Sequence, residues 1–288
     1  GGGVERTLAA AGRRSGRPPP GRRCTLVAGN GAVSGAPTWV LLRGLARESG
    51  HWGEFPQRLR QQLGPGHRVL APDLPGNGRA WAARSPSSVA AMVQACRREL
   101  AYVLAEGPVR LVALSLGGMV AIEWARTAPA ELAGCALDNT SLRGISPPWD
   151  RRRPAHWPTV LRLLRPGAPP QARERAVLPV TSADPSRHPA PVANWVALAD
   201  AHPVAPANVM RQFWAAARFR APQQPPPVPM LVLYAAGDRL VSPRCSRELA
   251  RRWHLPLREH PWAGHDLPLD DPDWLAIQLV AWAGGAAA

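Results

Sequence analysis

The chain lacks several features that would assign it to other classes of protein. It has 288 residues and no lysine, so all 35 basic residues are arginine. It also has no run of about 18 apolar residues, the length that a helix needs to span a bilayer. The sequence therefore predicts no membrane span.

Cysteine is scarce as well. Cys24, Cys96, Cys135 and Cys245 lie far apart and form no CxxC or Cys/His cluster. A zinc site or a disulfide scaffold needs cysteines at closer, repeated spacings. The paired arginines near the first residues lack the apolar segment of a secretory signal. We therefore expect free thiols, no metal and a cytoplasmic location.

One sign of charge dominates. The formal net charge is +15, which by itself favours nucleic acid or an anionic surface as a partner. The arginines are scattered, however, and the abundant Ala, Pro and Gly are typical of a GC-rich coding sequence. No nucleic-acid motif accompanies them. We predict no nucleic-acid partner; sub-micromolar DNA binding with a steep salt dependence would contradict this.

The order of apolar segments predicts one α/β core with an insertion. Residues 1–37 are rich in Gly, Pro and Arg without a sustained period, so we expect a disordered leader. Residues 38–140 and 225–285 alternate strands and helices, which predicts a mostly parallel sheet with helices on both faces. Residues 141–224 contain amphipathic helical pieces and no convincing strand. They predict an inserted helical cap, or lid.

Individual elements follow from the hydrophobic period. The predicted strands are WVLLR, HRVLAPDLPG, VRLVALS, LAGCALDN, VPMLVLYAAGD and LPLREHP. The predicted helices of the core are EFPQRLRQQLG, SPSSVAAMVQACRRELAYVLAEG, LGGMVAIEWARTA, SPRCSRELARRW and DPDWLAIQLVAWA. Those of the insertion are WPTVLRLL, PVANWVALADA and PANVMRQFWAAARF.

The segment VRLVALSLGGMVAIEWA places Ser115 where a buried strand turns into a helix. Small residues at Ala113 and Gly117 permit the tight turn that lifts a serine Oγ clear of the backbone. Gly118 lets the helix approach the sheet, and the helix N-terminus adds partial positive charge beside the hydroxyl. The pattern predicts a nucleophile, although the same spacing arises by chance in Ala/Gly-rich chains and then has only a structural role.

A serine nucleophile needs a base, and the base needs an orienting carboxylate. In LVLYAAGDRLVSP, Asp238 lies just past the end of a strand, and His265 lies in the loop after the last strand. Both therefore fall at carboxyl ends of strands, where open α/β sheets build their sites. The order Ser–Asp–His along the chain favours His265 as base and Asp238 as its partner. Asp266 and Glu259 are alternative carboxylates whose positions suit capping or surface roles better.

Acyl transfer also requires donors for an oxyanion. The backbone N–H of Leu116 follows the nucleophile directly and is one candidate. The second donor is expected in the loop after the first core strand, LLRGLARESGHWG, where Gly44 permits a tight turn. The N–H of Leu45 is the natural donor there.

Five segments, LLRGLARESGHW, PDLPGNGRA, ALSLGGMVAIEWA, YAAGDRLVSP and WAGHDLP, resemble the signature segments of α/β-hydrolases. The likeness runs from about Trp39 to Trp282 and is greatest to small esterases of the pimeloyl-acyl-carrier-protein methyl ester carboxylesterase group. It implies a lidded α/β-hydrolase fold and an acyl-enzyme mechanism without a cofactor. The roles that it implies are nucleophile for Ser115, base for His265, orienting acid for Asp238 and oxyanion donors for Leu45 and Leu116.

Two positions depart from the family pattern. Arg43 stands where the family usually has a histidine that braces the oxyanion loop, which puts the support of this loop in question. Asn77 stands where the family often has histidine, at a position that is structural.

The predicted cap carries aromatic and basic residues with two open interpretations each. Its tryptophans either line an apolar acyl pocket or pack the cap's own helices; they are Trp149, Trp157, Trp195 and Trp214. The arginine run from Arg151 to Arg153 either binds an acidic carrier protein or a substrate carboxylate, or is a solvated loop.

The sequence thus predicts a serine hydrolase of carboxylesterase type that cleaves a small or medium acyl ester. A thioesterase, a C–C bond hydrolase and an acyltransferase are alternatives on the same fold, because the same three side chains serve all of them. A non-catalytic binding protein is a further alternative, against which the intact Ser/Asp/His set argues. The expected partners are a small-molecule ester and an acidic acyl-carrier protein.

Overall fold

The computed structural model describes residues 35–156, 158, 169–187 and 189–285. Its centre is a six-stranded parallel sheet in the order β2-β1-β3-β4-β5-β6. The strands are β1 (Trp39–Leu42), β2 (Val69–Leu70), β3 (Val109–Leu114), β4 (Leu132–Asp138), β5 (Met230–Ala235) and β6 (Leu257–His260). This confirms the predicted sheet. β2 is shorter than predicted because Pro72, which has no N–H for a ladder hydrogen bond, follows it closely.

Helices connect the strands. They are α1 (Phe55–Leu63), α2 (Val89–Glu99), α3 (Ala101–Leu104), α4 (Leu116–Thr127), α5 (Pro148–Arg151), α6 (Pro170–Thr181), α7 (Pro189–Ala201), α8 (Pro206–Arg218), α9 (Pro243–Trp253), α10 (Leu267–Asp270) and α11 (Pro272–Gly285). In the part of the chain described, none is long and apolar enough to cross a membrane. Most of the predicted leader and of the helix WPTVLRLL lies outside the described residues.

The core has two halves, one on each face of the sheet. Val40 and Leu42 of β1 face the half that contains α2, α4 and α9, whereas Trp39 and Leu41 face the half that contains α1 and α11. All four side chains are at most 2% exposed. A parallel strand covered on both faces is expected to be apolar throughout, which explains why WVLL shows no polar alternation.

The long helix predicted between β2 and β3 is divided in two. Ser88 caps α2, and its side chain accepts a hydrogen bond from the Ala91 N–H, as the Ser-rich start of this segment suggests. Leu100 leaves the helical conformation, with φ −96° and ψ 11°, and its side chain is completely buried. The break therefore coincides with a core residue rather than with a Gly or Pro.

Between β4 and β5 the described residues form helices α5 to α8 and no strand of the sheet. Val177, Leu178 and Trp195 of α6 and α7 form a small apolar cluster of their own. Because all strands are parallel, their carboxyl ends lie at one edge of the sheet, and the insertion enters and leaves the core at β4 and β5.

Candidate active site

Ser115 occupies the sharp turn between β3 and α4. Its φ is +57° and its ψ is −113°, a conformation that a residue with a side chain rarely adopts. A Cβ at Gly117 would lie 2.2 Å from the carbonyl oxygen of Leu42, and one at Gly118 would lie 2.6 Å from Oγ1 of Thr140. Both positions therefore require glycine, which is the packing reason for the sequence SLGG.

His265 and Asp238 meet at the same edge of the sheet. Nδ1 of His265 lies 2.7 Å from Oδ2 of Asp238, and both side chains are buried. The other carboxylate oxygen, Oδ1, accepts hydrogen bonds from the N–H groups of Leu240 and Val241 at 2.8 and 3.0 Å. These bonds fix the carboxylate, and the carboxylate fixes the orientation of the imidazole ring. Ser115 and His265 both line one cavity.

The alternative carboxylates have other partners. Glu259 lies on the surface, where it contacts Tyr234 and Arg247. Asp266 is 3% exposed and forms a two-pronged ion pair with Arg43, with Nη–Oδ distances of 3.0 and 2.6 Å. Of the two roles expected for Asp266, the surface role is wrong, because a buried guanidinium neutralises this carboxylate. Asp266 does occupy the N-cap position of α10, but its side chain makes no capping hydrogen bond there.

The same ion pair explains how the loop after β1 is held without the family's histidine. Arg43 directly precedes Gly44 and Leu45, and Asp266 directly follows His265. Arg43 also stacks on Trp52, with its Cζ 4.9 Å from the ring centroid. The pair therefore ties the expected oxyanion loop to the loop that carries the histidine.

The two expected oxyanion donors are free to bind a ligand. The backbone N–H groups of Leu45 and Leu116 have no hydrogen-bond acceptor among the described residues, and both residues line the cavity. The next amide, that of Ala46, is occupied because it donates to Oε1 of Gln212 at 2.8 Å. Of the two neighbouring residues Leu45 and Ala46, only Leu45 therefore has a backbone N–H available to a ligand.

A buried polar network centred on Gln212 of α8 holds this loop. Besides accepting from Ala46, Gln212 donates through Nε2 to Oδ1 of Asn77 at 2.8 Å and to Oγ of Ser85 at 3.0 Å. Asn77 in turn donates to the carbonyl of Arg47 at 3.0 Å. This shows the structural role expected for Asn77. Gln212 was not among the residues expected from the sequence. The feature that could have pointed to it is an amide on the buried side of an insertion helix.

We expect Gln212→Leu to lower the free energy of unfolding by about 2–4 kcal/mol, because it leaves the Ala46 N–H, the Asn77 amide and the Ser85 hydroxyl with unsatisfied polar atoms. Urea denaturation measures this change. Gln94→Leu removes an exposed glutamine from α2 and should change stability by less than about 0.5 kcal/mol. Equal effects of the two substitutions would contradict a special role for the Gln212 network.

Asp138, the last residue of β4, is a second site residue that sequence analysis did not identify. It is 1% exposed, and neither carboxylate oxygen has a hydrogen-bond partner among the described residues. Burial raises the pKa of Asp138 well above its usual range, the charges of Asp266 and Asp238 raise it further, and Arg43 opposes them. Protonation of Asp138 is therefore favoured in the folded protein, because the neutral carboxyl group avoids both the cost of burial and the repulsion from Asp238 and Asp266.

This raised pKa predicts a pH-dependent effect of Asp138→Asn. The folded state holds the Asp138 proton more tightly than the unfolded state, so the bound proton contributes to the free energy of unfolding. This contribution is fully present below the unfolded pKa of about 3.9 and is lost as the pH rises towards the folded pKa. Asparagine does not titrate. In urea unfolding, the stability of Asp138→Asn relative to wild type should therefore increase as the pH rises above the unfolded pKa of about 3.9. The exposed Asp273→Asn serves as control, and a flat difference for Asp138→Asn would refute the assignment.

The cavity has a volume of about 400 Å³ and lies between the sheet edge and the insertion. It contains none of the three described tryptophans that we expected in an acyl pocket. Trp195 is 3% exposed and packs α7 against α6, while Trp149 and Trp214 are 65% and 54% exposed. The acyl-pocket interpretation is therefore wrong for these three residues, and the alternative, packing between the helices of the insertion, applies to Trp195; Trp157 lies outside the described residues. The apolar lining comes instead from Leu45, Met119, Val177, Val180, Val209, Phe213, Leu240 and Val241.

Comparison with known proteins agrees with this architecture. Residues 39–278 match the sequence profile of the alpha/beta hydrolase family. A thermophilic esterase from Thermogutta terrifontis has a similar structure, with a TM-score of 0.71 and 21% identity, over 93% of this chain and 99% of that one. The enol-lactonase from Burkholderia xenovorans LB400 has a TM-score of 0.71 and 22% identity, over 86% of this chain and 92% of that one. At these identities the likeness shows the fold alone.

Among curated sequences, an uncharacterized protein from Mycobacterium tuberculosis is 35% identical over 108 residues. This match covers 38% of the chain and only 29% of that relative. The family profile, by contrast, extends from the first strand of the sheet into the last helix. The chain therefore belongs to the alpha/beta hydrolase family.

Proposed function

We propose that the protein is a serine hydrolase that cleaves a small or medium acyl ester through an acyl-enzyme intermediate. The observation that carries the proposal is the position of Ser115, on a strained turn in a cavity that is also lined by His265, whose Nδ1 lies 2.7 Å from Oδ2 of Asp238. A strained backbone at a serine costs stability, and such strain is concentrated at functional sites.

In the proposed mechanism, His265 removes the proton from Oγ of Ser115 as this oxygen attacks the ester carbonyl. Asp238 acts on Nδ1, so that Nε2 faces the reaction, and stabilises the imidazolium that forms. The N–H groups of Leu45 and Leu116 stabilise the oxyanion. His265 then protonates the departing alcohol, and water attacks the acyl-enzyme with His265 again as the base.

Labelling with a fluorophosphonate, followed by peptide mass spectrometry, tests the nucleophile. We expect one adduct, on Ser115, and no adduct in the His265→Ala variant, because an unassisted serine is a weak nucleophile. Ser141 also lines the cavity and provides an internal control for selectivity. Folded protein without an adduct on Ser115 would favour a non-catalytic binding protein instead.

A substrate panel tests the bond that is cleaved. We expect p-nitrophenyl acyl esters to be hydrolysed with a higher kcat/KM than matched acyl thioesters or C–C substrates. The thioesterase, C–C hydrolase and acyltransferase alternatives use the same three side chains, so only the measured products separate them. A higher kcat/KM for an acyl thioester than for the matched oxygen ester would contradict the esterase proposal and favour a thioesterase.

The cellular setting belongs to the same proposal. We propose a cytoplasmic enzyme whose ester substrate is free or presented on an acidic acyl-carrier protein. Cys96, Cys135 and Cys245 are buried free thiols, and burial raises their pKa values to about 12, 12 and 11. Buried neutral thiols are unreactive and fit a reducing compartment. Cell fractionation tests the location, and a protein found outside the cytoplasm contradicts it.

A further inference from the structure

Three consecutive arginines, Arg151 to Arg153, line the same cavity as Ser115. Of the three other arginines of the lining, Arg43, Arg47 and Arg173, the first two are each neutralised by a carboxylate. Arg43 pairs with Asp266, and Arg47 lies 2.5 Å from Glu174. The run at the end of α5 differs, because none of its three guanidinium groups forms an ion pair with a carboxylate among the described residues.

Arg151 is the most buried member of the run. It is 9% exposed, and one Nη donates to the carbonyl of Ala216 at 3.0 Å. Its Nε is buried without an acceptor among the described residues. Burial lowers the pKa of Arg151, and the positive charge of Arg152 lowers it further. A buried cation without a counter-charge is costly and calls for an anion.

Arg152 is held in place by an aromatic ring. Its Cζ lies 3.8 Å from the ring centroid of Phe213, which also lines the cavity. Stacking occupies the face of a guanidinium group and leaves the N–H donors at its edge available for an anion. Burial also lowers the pKa of Arg152. The neighbouring stretch of the chain, WPTVLRLLRPGA at residues 157–168, has no acidic residue that could serve as a counter-ion.

We propose that Arg151 and Arg152 form an anion-binding subsite of the cavity, and that the ester cleaved at Ser115 carries a carboxylate or phosphate group bound there. This inference rests on the proposed esterase function and names its substrate class. A guanidinium group binds either anion through paired N–H donors. The apolar side chains that line the same cavity suit the hydrocarbon part of such a substrate.

The burial of the subsite favours a small ligand over a protein. An acidic carrier protein contacts arginines at the molecular surface, whereas Arg151 is nine-tenths buried and Arg152 is partly covered by Phe213. Only Arg153 is exposed, and it donates to the backbone carbonyl of Asp238 at 3.3 Å.

Paired substrates test this subsite. The charged members are mono-p-nitrophenyl esters of straight-chain dicarboxylic acids from adipic to sebacic acid, and the neutral members are the corresponding methyl p-nitrophenyl diesters. For the best chain length, we expect wild type to show a kcat/KM at least about tenfold higher for the charged ester, the scale of one charge-assisted hydrogen bond. Arg152→Gln should abolish this preference, so that the ratio of kcat/KM for the charged ester to kcat/KM for the neutral ester falls to about one. Arg244→Gln removes the same charge from an exposed position outside the cavity and should keep the preference.

Arg151→Gln also removes the hydrogen bond to Ala216, so Arg152→Gln is the decisive variant. No preference in wild type, or an equal loss for both esters in Arg152→Gln, overturns the subsite. A preference that appears only when the acyl chain is attached to an acidic carrier protein also overturns it and favours a protein-docking surface.

Calorimetry separates failure of the subsite from failure of the proposed function. The Ser115→Ala protein is titrated with adipate, with suberate and with inorganic phosphate. Binding that an added Arg152→Gln substitution abolishes supports the subsite even if wild type hydrolyses no ester, and the anion that binds identifies carboxylate or phosphate. Absence of binding by all three anions overturns it.

Discussion

Ser115→Ala is expected to lower kcat for ester hydrolysis by at least about 10⁴-fold, because the acyl-enzyme cannot form without Oγ. The substitution removes one side-chain oxygen that has no hydrogen bond within the described part of the protein, and it keeps a Cβ. The backbone at this position is equally strained with either residue. The melting temperature should therefore change by less than about 2 °C, the scale of a substitution that disturbs no packing.

Ser141→Ala is the matched control, because it removes a second hydroxyl from the lining of the same cavity. It should lower kcat by less than about tenfold, since general changes in the cavity are small beside loss of a nucleophile. If Ser115→Ala retained most of the wild-type turnover, the nucleophile assignment and the proposed acyl-enzyme mechanism would both fail.

Breaking the Arg43–Asp266 pair is the second substitution with a large expected effect. Arg43→Ala leaves the Asp266 carboxylate 3% exposed and without its partner, and it removes the cation that opposes the raised pKa of Asp138. Loss of one member of a buried pair typically costs about 3–5 kcal/mol. We expect urea denaturation to show this decrease in the free energy of unfolding. We also expect a lower kcat for ester hydrolysis, because the ion pair no longer connects the loops that carry Leu45 and His265.

The double variant Arg43→Met/Asp266→Leu separates two effects of the substitution: an unpaired buried charge, which lowers stability, and loss of the link between the two loops, which lowers kcat. It leaves no unpaired buried charge, so its stability should exceed that of Arg43→Ala, while its kcat should stay low. Glu54→Ala breaks an exposed ion pair with Arg58 and should cost less than about 1 kcal/mol. A loss for Arg43→Ala no larger than that for Glu54→Ala would mean that the buried pair contributes nothing to stability.

The parts of the site that sequence analysis identified depend on neighbouring residues in the chain. Ser115 was predicted as the nucleophile because Ala113, Gly117 and Gly118 must be small for a strand to turn directly into a helix. The short distances that a Cβ would have at Gly117 and Gly118 show the same steric constraint in the structure. Asp238 and His265 were predicted as orienting acid and base from their order along the chain and from the strands that precede them. In the structure, Nδ1 of His265 lies 2.7 Å from Oδ2 of Asp238.

The contacts that connect remote segments could not be predicted in this way. Arg43 and Asp266 are 223 positions apart, and the role of Gln212 depends on α8 meeting loops that follow β1 and β2. For the tryptophans of the insertion, the sequence left open whether they line an acyl pocket or pack the helices of the insertion. Two of them face solvent instead, and Arg151 and Arg152 line the cavity.

By itself the sequence determined the strand–helix alternation, the parallel sheet and the turn at Ser115, because these depend on hydrophobic period and on local steric limits. Only the tertiary structure decided which charges are neutralised, which amides remain free beside Ser115, and which side of each insertion helix faces the cavity. Those features depend on how distant segments pack, and neither the spacing nor the composition of a single segment contains that information.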